Sequence, residues 1–121
     1  MVGKGEPSRV PRGWPTAVSP PGTEDWEATA AWLVDLAPDL RGQSAIRRHP
    51  VILATIVRHI LTGSLEGARQ GYRVARTELG ETVPPHAVDA ALTAYRDEGR
   101  RLAATVKAAQ LVERALRSEP F

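Results

Sequence analysis

With 121 residues, 42% of them hydrophobic and 5% aromatic, the chain is long enough for one domain with a buried core and too poor in aromatics for a β-sandwich. It contains no cysteine, which excludes a disulfide framework, a thiolate nucleophile and a cysteine zinc site. A net charge of +2 and a pI near 9.5 give a mild attraction to polyanions, but 14 arginines beside only Lys4 and Lys107, with no asparagine, follow the bias of high-GC coding and name no partner.

Residues 1–22 read as a Pro/Gly-rich arm, in which Gly3, Gly5, Gly13 and Gly22 are interspersed with Pro7, Pro11, Pro15, Pro20 and Pro21 without helical or strand periodicity. Trp14 and Val18 are positioned to pin an extended, polyproline-like segment across the domain, and disorder is the alternative. Charges and prolines stand where a signal peptide needs an apolar run, so the cytoplasm is the expected location. Residues 23–121 are expected to form a single helical-bundle domain.

Its first helix is predicted to start after Thr23 as N-cap, with Glu24, Asp25 and Glu27 favouring the positive helix end, and to stop at Pro38. Trp26, Ala30, Leu33 and Ala37 recur at helical spacing, widened by Trp32, Val34 and Leu36. Residues 39–49, DLRGQSAIRRH, predict a short turn of helix broken at Gly42, with Leu40 and Ile46 facing inward.

Residues 50–79, PVILATIVRHILTGSLEGARQGYRVARTEL, predict one long helix. Pro50 suits its first turn, and Gly80 suits a left-handed position just past its end. Leu53, Ile56 and Ile60 form one apolar line, and Val57, Leu61, Ala68, Tyr72, Ala75 and Leu79 form another beside it. That arc, near half the circumference, predicts packing against two neighbours. The most apolar run, Val51 to Leu61, is about half a bilayer span and holds Arg58 and His59, so no membrane crossing is expected. The short GETVP connection leads into a second long helix over residues 85–117, with Val88, Leu92, Tyr95, Gly99, Leu102, Val106, Ala109, Val112 and Leu116 alternating three and four apart. The predicted architecture is all-α: a long antiparallel helical hairpin, about 45 Å long at the standard rise, with a shorter N-terminal helix packed along it.

Two constellations stand out. Gly63, Gly67 and Gly71 recur every four residues, continuing the line of Ile56 and Ile60, and glycines inside a helix each cost about 1 kcal/mol relative to alanine unless a close approach compensates. The expected occupant is another helix of the same chain or the arm with Trp14; the alternative is a groove for a partner helix or a second copy. Together Gly63, Gly67, Gly71 and Trp14 are the candidate protein interface. Arg58, Arg69, Arg73 and Arg76 form a stripe, and Arg41, Arg47, Arg48 and His49 converge ahead of the long helix as a candidate anion site. An opposing reading is internal pairing: residues 24–39 are acidic and 41–76 basic, and Arg76 should lie near Asp89 across the hairpin.

His49, His59 and His86 do not converge; His59 is expected at the edge of the apolar arc, hydrogen-bonded and partly buried, and only His86 has a carboxylate, Asp89, one turn away. HExxH, GxSxG and phosphate-binding glycine loops are absent, so no catalytic residue, metal or cofactor is expected. The strings PPGTEDWEATAAWLVDLAP, RRHPVILA, GARQGYRVARTEL, EGRRLAA and LVERALR resemble in cadence a family of small helical proteins of actinobacteria. That resemblance implies a bacterial cytoplasm and brings no activity or catalytic residue with it. The functional expectation is a non-enzymatic interaction or accessory module that binds another protein or a second copy of itself. Its alternative is an accessory nucleic-acid-binding protein using Arg41, Arg47, Arg48, Arg58, Arg69, Arg73 and Arg76.

Overall fold

The structure, a computed structural model, describes residues 10–23 and 25–121, and every regular element among them is helical. Helix α1, Trp26–Leu36, begins two residues later than Thr23 predicts. The Asp25 carboxylate is the cap, accepting from the Ala28 N–H at 3.2 Å, while Thr23 closes a turn by donating its N–H to the Pro20 carbonyl. Glu24, expected to favour the same helix end, lies outside the described residues. Pro38 opens a 3-10 turn, Pro38–Gly42, and helix α2, Ser44–Arg47, follows as one turn; Leu40 and Ile46 pack half-buried against the core as expected.

Helix α3, Pro50–Leu79, keeps its predicted limits, and helix α4, Pro85–Leu116, falls one residue short of the predicted end. Gly80 departs from expectation. Its backbone is right-handed helical, φ −59° and ψ −30°, because the chain continues in the same sense, with Gly80 N–H donating to the Arg76 carbonyl. The glycine is required by closeness instead: a Cβ there would stand 2.5 Å from the Arg76 carbonyl oxygen.

The core lies in the α3–α4 seam at the open end of the hairpin, where α1 covers it. Ala30, Leu33 and Val34 of α1, with Ala37 just past its end, meet Leu53, Val57 and Leu61 of α3 and Val106 and Ala109 of α4. Leu33, Leu53, Val57 and Val112 are its largest fully buried side chains. Towards the tip, α3 and α4 have only each other.

The described part of the arm is pinned by Trp14 and Val18, but through turns rather than a polyproline segment. The N–H groups of Trp14, Val18 and Thr23 donate to Pro11, Pro15 and Pro20, and Gly13 and Gly22 take left-handed φ values of +96° and +89°. Val18 is buried, Trp14 Nε1 donates to the Val18 carbonyl at 3.1 Å, and the Trp14 ring stands edge-on to Phe121 with centroids 6.1 Å apart. Gly3, Gly5 and Pro7 of the arm lie outside the described residues.

Taken alone, α3 is long and apolar enough to cross a membrane, with a mean hydropathy of 1.3 over its most apolar window, so the half-span read from Val51 to Leu61 is an underestimate. Core helices of water-soluble bundles meet the same criterion, and 33% of that window is buried inside the protein.

Candidate functional site

The outer face of α3 carries the glycine line, and no element of the described chain crosses it at its centre. A Cβ built on Gly63 or Gly67 meets nothing within 4 Å, contrary to the expected crossing by a helix or the arm. Trp14 sits elsewhere, at the open end of the hairpin beside Val112 and Leu116, so the candidate interface residues do not form one surface. Gly71 alone has a close neighbour: a Cβ there would overlap the ring of Tyr95. Tyr95 fills the last step of the line because α4 runs alongside α3 there. The next turns towards Pro50 put Ile60 and Ile52 on the same outer face, 43% and 47% exposed, with Ile56 half-buried between them. Ile56, Ile60, Gly63 and Gly67 are spaced four, three and four apart, the spacing of a coiled-coil seam, here turned to solvent. His59, expected to be partly buried, is exposed on the flank of this seam, as is Glu66.

The arginine stripe divides into two. Arg58 turns away to a buried carboxylate, Glu113 of α4, which is 6% exposed and which the sequence reading missed. Glu113 also accepts from Thr55 Oγ1 at 3.0 Å and Arg117 Nε at 3.0 Å, and Arg117 donates onward to Thr55 at 2.8 Å. Burial raises the carboxyl pKa, but hydrogen bonds from Arg58, Thr55 and Arg117, with the Arg58 charge, outweigh it and hold Glu113 below its ordinary value. Every buried polar side-chain atom among the described residues is satisfied, so this cluster is a structural tie between the two long helices.

The rest of the stripe borders a groove. On the side of the hairpin turned away from α1, the α3–α4 seam opens into a trough of about 520 Å³ floored by Ala68, Tyr72, Tyr95, Gly99 and Ala103. Arg69 and Arg73 rim it from α3, and Arg96 and Arg100 from α4. Arg69 pairs with Glu66 at 3.2 Å, Arg96 lies 3.9 Å from Asp97, and Arg73 donates to the Gln70 amide oxygen at 2.7 Å. Arg100 makes no ion pair among the described residues, nor does Arg76, which is not bridged to Asp89 as the antiparallel register suggested.

The Arg41, Arg47, Arg48 and His49 group is partly engaged. Arg41 pairs with Asp35 at 2.8 Å, and Arg47 donates to the Arg41 carbonyl at 3.3 Å. Glu27 lines the same depression as Arg47 and Arg48, which offsets its attraction for an anion. His49 is the α3 cap residue with no side-chain capping bond, and His86 and Asp89 are both exposed. Among the described residues no cluster of three or more His, Cys, Asp or Glu could hold a metal ion. Compared with family models, curated proteins and solved structures, the chain matches none.

Proposed function

We propose that the protein is a non-enzymatic helical interaction module that self-associates through the outer face of α3. One observation carries this reading: the seam of Ile56, Ile60, Gly63 and Gly67 is complementary to itself when two copies run antiparallel. A single register sets Ile60 opposite the partner's Gly63 and Ile56 opposite the partner's Gly67, so isoleucine knobs enter places where no side chain stands. Ile52 then falls against the Tyr95 ring that fills the Gly71 step. The same register brings His59 to within about 3 Å, along the helix axis, of the level of the partner's Glu66 on the flank, a polar rim around an apolar centre. Isoleucine removed from water supplies the driving force, on the order of 25 cal/mol per Å² of apolar surface. Close helix approach at the glycines adds dispersion contacts. An interface confined to a few helical turns is small, and a dissociation constant of about 1–100 µM is in keeping with it.

Because the natural chain has no cysteine, the register is testable with single-cysteine variants. A mixture of Ile56→Cys and Gly67→Cys chains should form a disulfide-linked heterodimer under mild oxidation, while each variant alone should not. Like positions in the antiparallel pair are about 16 Å apart along the helix axis, far beyond the roughly 7 Å that a disulfide spans between Cα atoms. Equal cross-linking of each variant by itself would indicate a parallel arrangement. A strictly monomeric protein in sedimentation experiments up to about 100 µM would refute the reading altogether.

A further inference from the structure

A second surface, distinct from the outer face of α3 and independent of self-association, is the side of the α3–α4 seam turned away from α1. On α4, Ala104, Thr105 and Ala108 face Trp32 and Leu36 of α1, whereas Arg96, Gly99, Arg100 and Ala103 share the opposite flank, which continues to Gln110, Glu113 and Arg114. On α3 the same side runs from Thr55 and Arg58 to Arg69, Tyr72 and Arg73. The trough there is lined by residues of α3 and α4 alone, with Ala68, Tyr72, Tyr95, Gly99 and Ala103 as its floor.

Its electrostatics name the occupant. Four arginines rim the trough and no carboxylate lines it. Arg100 has no ion-pair partner among the described residues, and Arg73 bonds only to a neutral amide. Like charges gathered along an apolar trough repel one another, and a ligand carrying carboxylates on both flanks relieves that repulsion while its apolar face covers the floor. We infer that this trough is a docking groove for an acidic amphipathic helix of a partner protein, laid along the seam on the side opposite α1. The floor from Tyr95 to Ala103 accommodates about two to three turns at 1.5 Å per residue. Nucleic acid suits the rim but not the floor: single strands need exposed aromatic platforms, and here Tyr95 is folded onto Gly71, leaving Tyr72 as the exposed ring.

The test uses the full chain and three fluorescein-labelled probes. One is a synthetic helix of about 15 residues with an Ala/Leu face flanked by glutamates. The second is its twin with lysine replacing every glutamate, and the third is a single-stranded oligothymidine. Fluorescence anisotropy at low salt should show the acidic peptide binding at least about tenfold tighter than the lysine twin. The double variant Arg73→Glu with Arg100→Glu should reverse that order. Gly99→Leu separates the groove from a general basic surface: a Cβ at Gly99 meets nothing within 4 Å, so the fold tolerates it, yet the new side chain fills the floor and leaves the arginines in place. It should weaken the acidic peptide by about tenfold or more with an unchanged melting temperature. Equal affinity for the two peptides, undiminished binding by Gly99→Leu, or tighter binding of the oligonucleotide than of the acidic peptide would each overturn the inference. None of these results depends on whether the chain dimerises.

Discussion

Two glycines one turn apart in α3, Gly67 and Gly71, should respond to the same substitution with opposite signs. Replacing either by alanine removes the entropic penalty of glycine in a helix, a gain of about 0.5–1 kcal/mol. At Gly67 nothing opposes the gain, because the added methyl stands in open space. For a domain of this length the melting temperature should rise by about 2–5 °C. At Gly71 the same methyl overlaps the Tyr95 ring, so either the two helices shift or the ring swings off the seam. Overpacking of this kind costs about 1–3 kcal/mol, which outweighs the propensity gain and leaves the variant less stable by about 0.5–2 kcal/mol. A double-mutant cycle isolates the cause: in a Tyr95→Ala background, Gly71→Ala should become stabilising, giving a coupling of about 1–3 kcal/mol. Thermal and urea unfolding at about 0.1 µM, well below the proposed dissociation constant, read the chain by itself. If Gly71→Ala stabilises as much as Gly67→Ala with Tyr95 intact, the packing argument fails.

The remaining predictions concern the two ties that hold the hairpin's open end. Glu113→Gln should cost about 1–3 kcal/mol at pH 7, since it removes a buried carboxylate from two arginines that each keep partial contact with water. The folded pKa of Glu113 is depressed, so its contribution is complete above the unfolded value near 4.3 and disappears as pH falls through the lower, folded value. Urea unfolding of the two proteins should therefore converge in acid, and a gap that stays constant from pH 7 to pH 3 would contradict this. Trp14→Ala, which removes the ring packed edge-on to Phe121 and the bond to the Val18 carbonyl, should lower stability by about 1–2 kcal/mol and expose residues 15–23 to limited proteolysis. An unchanged proteolysis pattern would mean that Val18 alone anchors the segment.

Much of the fold was legible because its signals are local. Pro50 and Pro85 mark helix starts that need no backbone donor, and the spacing from Val88 to Leu116 marks a seam wherever the partner lies. What periodicity cannot convey is which part of a wide apolar arc its neighbours cover. The line of Ile56 and Ile60 looked equivalent to that of Val57 and Leu61, and only the placement of α1 and α4 separates an outer face from a core. Glu113 was missed as one acid among several, although it stands four, seven and eleven residues after Ala109, Val106 and Leu102, on the core line. A carboxylate at seam spacing, with arginines free to reach it, was the available signal. The groove was harder still, because Arg96 and Arg100 flank two acids in sequence and meet Arg69 and Arg73 only through the pairing of the two helices.

The cover that α1 gives to only one end of the hairpin also grades the molecule mechanically. The hairpin is three helices thick where α1 lies and two thick beyond Ala68, so its tip projects like a cantilever from a clamped base. In the tip, Ala75 and Val88 are buried, whereas Val74, Leu79, Leu92 and Tyr95 keep one side towards water. Such a segment opens at a lower free energy than the whole domain, and its amides exchange without global unfolding. A third helix laid into the trough would thicken the beam along its weakest stretch, so occupancy would be felt as stiffness at the Gly80 turn, beyond anything the ligand itself touches.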